Sequence, residues 1–352
     1  MAREARRGVI QDQTTQVSGT RGTPFTRRHV LAAGAMGLAA LAAAGCSAGD
    51  PPGQATGTGP AAGGGPPEKT SLQIGSLKSV TAAGLYIAQQ RGFFKDAGLD
   101  VTIVPTTGSG PVMADLLNGR LDVNFGNYVS FIAAQARGVA TLRILDEGNN
   151  AISRQQGLVV MPHSPVTSLR ALAGTTIGVN ALENLAQILL ASLLAGERLS
   201  LSSVKLVAVP FPDMGSALAA GRIDAALLVE PYLTEARLQY RTVTIADSNQ
   251  GATADLPISG YIATAAWAAR YPKTAAAFVR ALNRGQALAG TSHTAVEQVM
   301  TSYTGASPRV ASLVVAGQFP QGVNQAQMQR VADLMHQYGM LQRPFDVAPM
   351  IS

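Results

Sequence analysis

Apolar residues along this chain recur in two alternating rhythms. Short runs that alternate or stay apolar for four to eight residues predict strands at 72–77, 100–104, 123–126, 141–145, 156–161, 175–179, 204–209, 223–229 and 241–245. Between them, apolar residues at helical spacing predict helices, as with Leu85, Ile87 and Ala88, or Leu189, Leu190, Leu193 and Leu194. From Ala265 onward the pattern turns mostly helical, with candidates at 275–288, 295–303 and 325–338. Strands alternating with helices predict parallel sheets covered by helices. In such sheets ligands sit beyond the carboxyl ends of the strands. Those ends are the loops at 78–81, 107–110, 126–128, 180–184 and 230–232.

One phrase occurs twice. Leu116-Leu117-Asn118-Gly119-Arg120-Leu121-Asp122 leads into one strand, and Leu218-Ala219-Ala220-Gly221-Arg222-Ile223-Asp224 leads into another. The repeat is too long for a solenoid unit and fits two similar α/β lobes. In the second copy, Asp213 can cap a helix starting at Met214, and the strand ends at Glu230-Pro231. The residues at 162–170, which contain Pro162 and Pro165, are expected to cross between the lobes, and 259–263 to cross back.

The first 69 residues do not share this rhythm. Arg27-Arg28 precede an apolar stretch to Ala44, followed by Gly45-Cys46. That order has the three parts of an export signal, and the apolar part is too short to span a bilayer comfortably. The arginine pair resembles a twin-arginine signal, and Ala43-Ala44-Gly45-Cys46 resembles a lipobox whose cysteine is lipidated, although Ala43 stands where leucine is usual. A plain signal peptide with an incidental cysteine is the alternative. Residues 47–69 are rich in Gly, Pro, Ala and Thr and read as a tether.

Composition changes the picture in one respect. The net charge of +6 suggests a polyanion partner, but residues 1–45 hold six arginines against two acids. The remaining body is nearly neutral and carries no basic cluster with interleaved aromatics, so no nucleic-acid partner is expected. Cys46 is the only cysteine, and His29, His163, His293 and His336 show no paired ligand spacing. No metal and no cofactor are expected.

Several phrases together resemble a known family. They are Leu85-Tyr86-Ile87-Ala88, Gly92-Phe93-Phe94-Lys95, Ala97-Gly98-Leu99-Asp100-Val101, the repeat at 116–122, Leu172 to Asn180, Pro210 to Met214, Ala217 to Ala225 and Glu230-Pro231. This set resembles the substrate-binding proteins of ABC importers for nitrate, sulfonate and taurine, a family that includes binders of the thiamine pyrimidine precursor. It covers residues 70 to about 345 in order.

The resemblance implies a two-lobed, type II periplasmic-binding-protein-like α/β fold, each lobe a mostly parallel sheet. The expected layout is an export signal at 1–45, a tether at 46–69, a first lobe at 70–164 plus 262–352, and a second lobe at 165–261. Taken with the export-signal reading of the N-terminus, it leads to the expectation of a monomer, lipid-anchored outside the cell membrane through Cys46 and exported by a twin-arginine or general route. Such a protein would pass a small solute to an ABC permease and perform no covalent chemistry.

The resemblance marks Asn127 and Asn180 as polar cleft positions and Glu230 as the acidic end of a second-lobe strand. Further candidate contacts on or beside the strand-end loops are Lys78, Ser79, Thr107, Ser109, Gly110, Tyr128, Asp213 and Tyr261. Lys78 departs from the family pattern; it either meets an anionic solute or is simply solvated. Glu230 either touches the solute or caps a helix start. An enzyme of the thiamine pathway with the same fold is the competing class. It calls for a His or Cys in the cleft, which the positions of Cys46 and His163 do not offer.

Overall fold

The computed structural model describes residues 65–106 and 109–351, without the side chains of 109–111. The expected export signal, Cys46, most of the tether and Thr107 lie outside the described residues.

Ten strands among the described residues form two five-stranded sheets. The strands are β1 Ser71–Leu77, β2 Asp100–Thr106, β3 Val123–Asn127, β4 Leu142–Asn150, β5 Gln156–Val160, β6 Thr176–Val179, β7 Lys205–Ala208, β8 Ala225–Val229, β9 Val243–Asp247 and β10 Pro257–Thr264. The first sheet has the order β2-β1-β3-β10-β4 and the second β7-β6-β8-β5-β9. Helices used below are α1 Ala83–Gln90, α2 Ser109–Leu117, α3 Tyr128–Ala136, α4 Leu185–Gly196, α5 Phe211–Ala219, α6 Tyr232–Tyr240, α7 Pro272–Thr291, α8 His293–Thr304 and α9 Gln325–Gln337.

The two orders are the same path drawn twice. β1 pairs in parallel with β2 and β3, as β6 does with β7 and β8. In each sheet one strand runs antiparallel to its two neighbours: β10 in the first, β5 in the second. Each of these is the strand that has just arrived from the other lobe. The sheets are therefore parallel except at the arriving strand.

The repeated phrase explains part of this match. Asp122 Oδ2 accepts from Gln73 N at 2.9 Å and Asp122 N donates to Gln73 O at 2.9 Å. Asp224 Oδ2 accepts from Thr176 N at 2.8 Å and Asp224 N donates to Thr176 O at 2.8 Å. The carboxylate closes the same backbone ring at the start of the adjoining strand in both lobes. The apolar residue before it needs room, which a glycine supplies: a Cβ on Gly75 would lie 2.8 Å from Leu121 Cδ1, and one on Gly178 2.6 Å from Ile223 Cδ1.

The crossings fall elsewhere than expected. β5 pairs with β8 and β9, so the chain leaves the first sheet at 151–155, not at 162–170. It returns at 248–256, because β10 belongs wholly to the first sheet. Val160 and Pro162 mark the end of a second-lobe strand rather than the exit from the first lobe. β4 also runs five residues past the expected end at Leu145. Its polar end was unreadable as strand because its partners are remote in sequence. Asp146 accepts from Gly322 N at 2.7 Å, Glu147 from Asn324 N at 2.6 Å, and Asn149 Nδ2 donates to Gln318 O at 3.0 Å.

The two crossings hold each other. Ala151 N donates to Leu256 O at 2.9 Å, Asn249 Nδ2 to Ile152 O at 2.8 Å, and Ser153 Oγ to Asp247 Oδ2 at 2.6 Å. Both lobes lie within one compact unit. α7 and α8 add to the first lobe, where Phe278 and Leu282 join Leu72, Ile74 and Phe125 in one core and Val296 and Met300 cover Ile87 in another.

Candidate functional site

The strand ends and helix starts of the two lobes meet around a cavity of about 60 Å³. The first lobe contributes Leu77, Ser79, Thr81, Phe125, Gly126, Asn127, Ile258 and Ser259; the second contributes Gln156, Asn180, Asn184, Leu185, Ala186, Phe211, Leu227 and Val229. The volume holds roughly four water-sized groups.

No ionisable side chain stands among these residues. The polar ones are amides and hydroxyls, several of which are already oriented. Asn127 caps α3, its Oδ1 accepting from Ser130 N at 2.9 Å. Asn184 caps α4, its Oδ1 accepting from Ala186 N at 3.0 Å, while its Nδ2 donates to Asn180 Oδ1 at 2.9 Å. That bond leaves the Asn180 amide hydrogens available. Ser79 Oγ and Thr81 Oγ1 lie 2.6 Å apart. Gln156 and Ser259 are 6% and 4% exposed, and their Nε2 and Oγ atoms have no protein partner. A buried, unpaired polar atom is costly unless something occupies the space it faces.

The N-terminal ends of α3, α4 and α5 reach this cavity through Asn127, Leu185 and Phe211. A helix start carries partial positive charge; of the first-turn N–H groups, Ser130 N and Ala186 N are taken by the Asn127 and Asn184 caps and Asp213 N by Pro210 O, and Pro212 has none. The site thus combines helix-start dipoles with neutral hydrogen-bonding side chains and carries no formal charge of its own. It is suited to a compact anionic or strongly accepting group.

The expected residues divide. Ser79, Asn127 and Asn180 line the cavity. Lys78 is exposed on the rim of an adjoining space. Ser109 and Gly110 form the first turn of α2. Tyr128 and Tyr261 are corrections: both are fully buried, Tyr261 packing on Phe125 and Phe278 at ring distances of 4.9 and 5.8 Å. Register shifts along the β10–β4 pairing break the strand's alternation, so Ser259 reaches the cavity while Tyr261 enters the core. Asp213 is also corrected. Its helix starts at Phe211, three residues before Met214, so Asp213 lies within the first turn instead of capping it, and the exposed carboxylate lines a separate groove with Arg222.

Glu230 resolves toward capping. Its carboxylate accepts from Thr234 N at 3.1 Å and from Thr234 Oγ1 at 2.8 Å, in the first turn of α6. It does not line the cavity. Burial pushes its pKa up to about 7, against the lowering effect of the Thr234 bonds and Arg237. Its backbone does join the lobes: Val80 N donates to Glu230 O at 3.2 Å, beside Tyr232 Oη donating to Lys78 O at 2.8 Å.

Gln156, Asn184, Phe211 and Ser259 escaped sequence reasoning as site residues. Asn184 and Ser259 lay on segments singled out as a strand-end loop and a crossing. Gln156 carried a weaker signal, an amide opening an otherwise apolar strand.

Two matching mixed sheets, joined by paired crossings and closing on one cavity, define the two-lobed binding-protein fold. An alkanesulfonate-binding protein from Xanthomonas axonopodis pv. citri, bound to MOPS, has this fold: TM-score 0.69, 20% identity, 81% of this chain and 99% of that one. So does a periplasmic nitrate-binding protein from Synechocystis PCC 6803, with TM-score 0.66, 15% identity, and 80% and 85% of the two chains covered.

Within that fold, the chain belongs to the NMT1/THI5 like family, whose model matches residues 79–292. Among curated proteins it is similar to a 4-amino-5-hydroxymethyl-2-methylpyrimidine phosphate synthase from Aspergillus parasiticus, 31% identical over 97 residues. That match covers 27% of this chain and 28% of the synthase, so the chain spans about a quarter of that relative.

Proposed function

We propose that this chain is the solute-binding protein of an ABC importer, lipid-anchored through Cys46 outside the cell membrane, and that it captures a small anionic solute between its lobes. Sulfonates, taurine, nitrate and related organic nitrogen or sulfur compounds form the candidate class. The observation that carries this reading is the cavity itself. Amides and hydroxyls from both lobes converge there with three helix starts, and neither a carboxylate nor a cation competes with the solute. Such a lining, of neutral amides and hydroxyls with no acid, base or thiol among them, suits binding and orienting a solute. Capture would draw the lobes together about the paired crossings. A substituted pyrimidine is the second reading, supported by the likeness of 97 residues to a pyrimidine phosphate synthase.

The test is thermal melting with a panel of methanesulfonate, taurine, nitrate and the pyrimidine precursor. A bound solute at a hundred times its dissociation constant adds about 2.7 kcal/mol of stability. No shift with any member contradicts the reading. For the anchor, mass spectrometry of the mature protein from membranes is expected to find a diacylated Cys46 at the N-terminus; any other N-terminus rejects it.

A further inference from the structure

Both lobes build the surroundings of Glu230, which is 3% exposed. Its own lobe supplies Thr234, whose N and Oγ1 donate to the carboxylate. The first lobe supplies Val80 N, which donates to Glu230 O at 3.2 Å, and the Val315 N–H, which lies against the carboxylate. Val315 belongs to a strap, residues 313–318. Val314 fixes the strap to the first lobe by packing in one core with Val296 and Met300. Ala316 O fixes it to the first crossing, accepting from Asn149 Nδ2 at 3.2 Å and from Gln155 Nε2 at 3.0 Å. Gln155 O in turn accepts from Glu230 N at 3.2 Å. The seat of this carboxyl is therefore complete only while the lobes touch.

Charged and titratable groups stand near it on several elements. Arg237 and Glu235 lie on its own helix, Lys78 and Tyr303 flank Ser79 on the first lobe, and Arg154 precedes Gln155. The strap itself brings none. Arg237 favours the ionised form, yet burial outweighs it and pushes the carboxyl up to about 7. Separating the lobes withdraws Val80 and the strap and admits water, which returns the carboxyl toward its ordinary 4.5. Resting on the proposed movement of the lobes, we infer that Glu230 is a proton-operated latch: its neutral carboxyl holds the lobes together, and its ionisation favours their separation. Closing then takes up a proton. The closed form gains at low pH and loses as pH rises from about 4.5 to about 7.

The experiment measures the distance between the lobes by energy transfer in the full chain carrying Cys46→Ser. Fluorophores sit on Lys95→Cys in the first lobe and Lys205→Cys in the second, both exposed positions. Without solute, the ratio of closed to open molecules is expected to fall about tenfold per pH unit between pH 5 and 6.5. Glu230→Gln, a neutral side chain of the same shape, is expected to remove that dependence. Thr234→Ala removes a bond that favours the ionised form, so its transition is expected to move to higher pH. Asp146→Asn is expected to behave as wild type, because Asp146 accepts only from Glu147 N and Gly322 N within the first lobe. Melting checks that each variant folds. A wild-type distance that ignores pH overturns the latch, as does a Glu230→Gln response equal to wild type or an unmoved transition in Thr234→Ala. Methanesulfonate at fixed pH tests the proposed function separately. If it shortens the distance and pH does not, the function stands and the latch fails; if only pH shortens it, the latch stands and capture of this solute fails.

Discussion

The two lobes share a framework and differ in what they carry at its edge. Both have the same strand order, the same glycine beside the same apolar residue, and the same aspartate closing a ring with the neighbouring strand. At the next point they diverge. β3 ends in Asn127, which lines the cavity and caps α3; β8 ends in Val229, an apolar wall, and is followed by Glu230, a carboxylate turned away into α6. The duplicated part is the scaffold and the unduplicated part is the site. A repeat therefore locates a binding edge without saying which of its two copies supplies polar contacts.

The aspartates offer the sharpest way to break this comparison. Asp122 is 4% exposed and, besides Gln73, holds Lys69 Nζ at 2.5 Å and Trp267 Nε1 at 2.8 Å. Asp224 is exposed. Asp122→Ala strands three donors and is expected to cost about 3 kcal/mol, against about 1 kcal/mol for Asp224→Ala. Equal losses in urea unfolding would contradict the asymmetry.

A second prediction concerns two of the buried acids, Asp146 from the first lobe and Glu230 from the second. Burial lifts Asp146 from 3.8 to about 7 and Glu230 from 4.5 to about 7. The folded protein then holds protons that the unfolded chain has released, so stability falls as pH rises from about 3.8 (Asp146) or 4.5 (Glu230) to about 7. The loss is on the order of 3 kcal/mol per group. Asp146→Asn and Glu230→Gln are each expected to remove part of that slope in melts across pH 4.5 to 8. A variant with the full slope would show that its carboxyl does not titrate there.

The smallest expected effect tests the shared glycines. Gly75→Ala pushes against Asn124 and Leu121 and Gly178→Ala against Ile223, and each is expected to cost roughly 1–2 kcal/mol. A large difference between them would mean that the two frameworks are less alike in packing than in topology.

Most of the fold was legible because it rests on local periodicity. The runs at 72–77, 123–126 and 223–229 and the repeated Gly-Arg-X-Asp carry their meaning within a few residues. The crossings were not legible. Whether β5 belongs to the first or second sheet depends on pairing with strands about seventy and ninety residues away, which no local pattern encodes. The polar end of β4 was hidden for the same reason, its partners being at 316–324. At the site, Asn127 and Asn180 were legible as strand-end amides. Tyr128 and Tyr261 were not, because a tyrosine next to a cleft position can turn either way, and only the register of β10 and the packing of α3 decide it.

The central claim is that residues from both lobes hold one anionic solute. Thermal melting with increasing methanesulfonate, in the wild type and in Asn180→Ala, tests it most directly. The expected result is a concentration-dependent rise in Tm for the wild type and a much smaller rise for the variant, whose amide faces the cavity from the second lobe. An equal rise in both proteins, or none in the wild type, would contradict the claim.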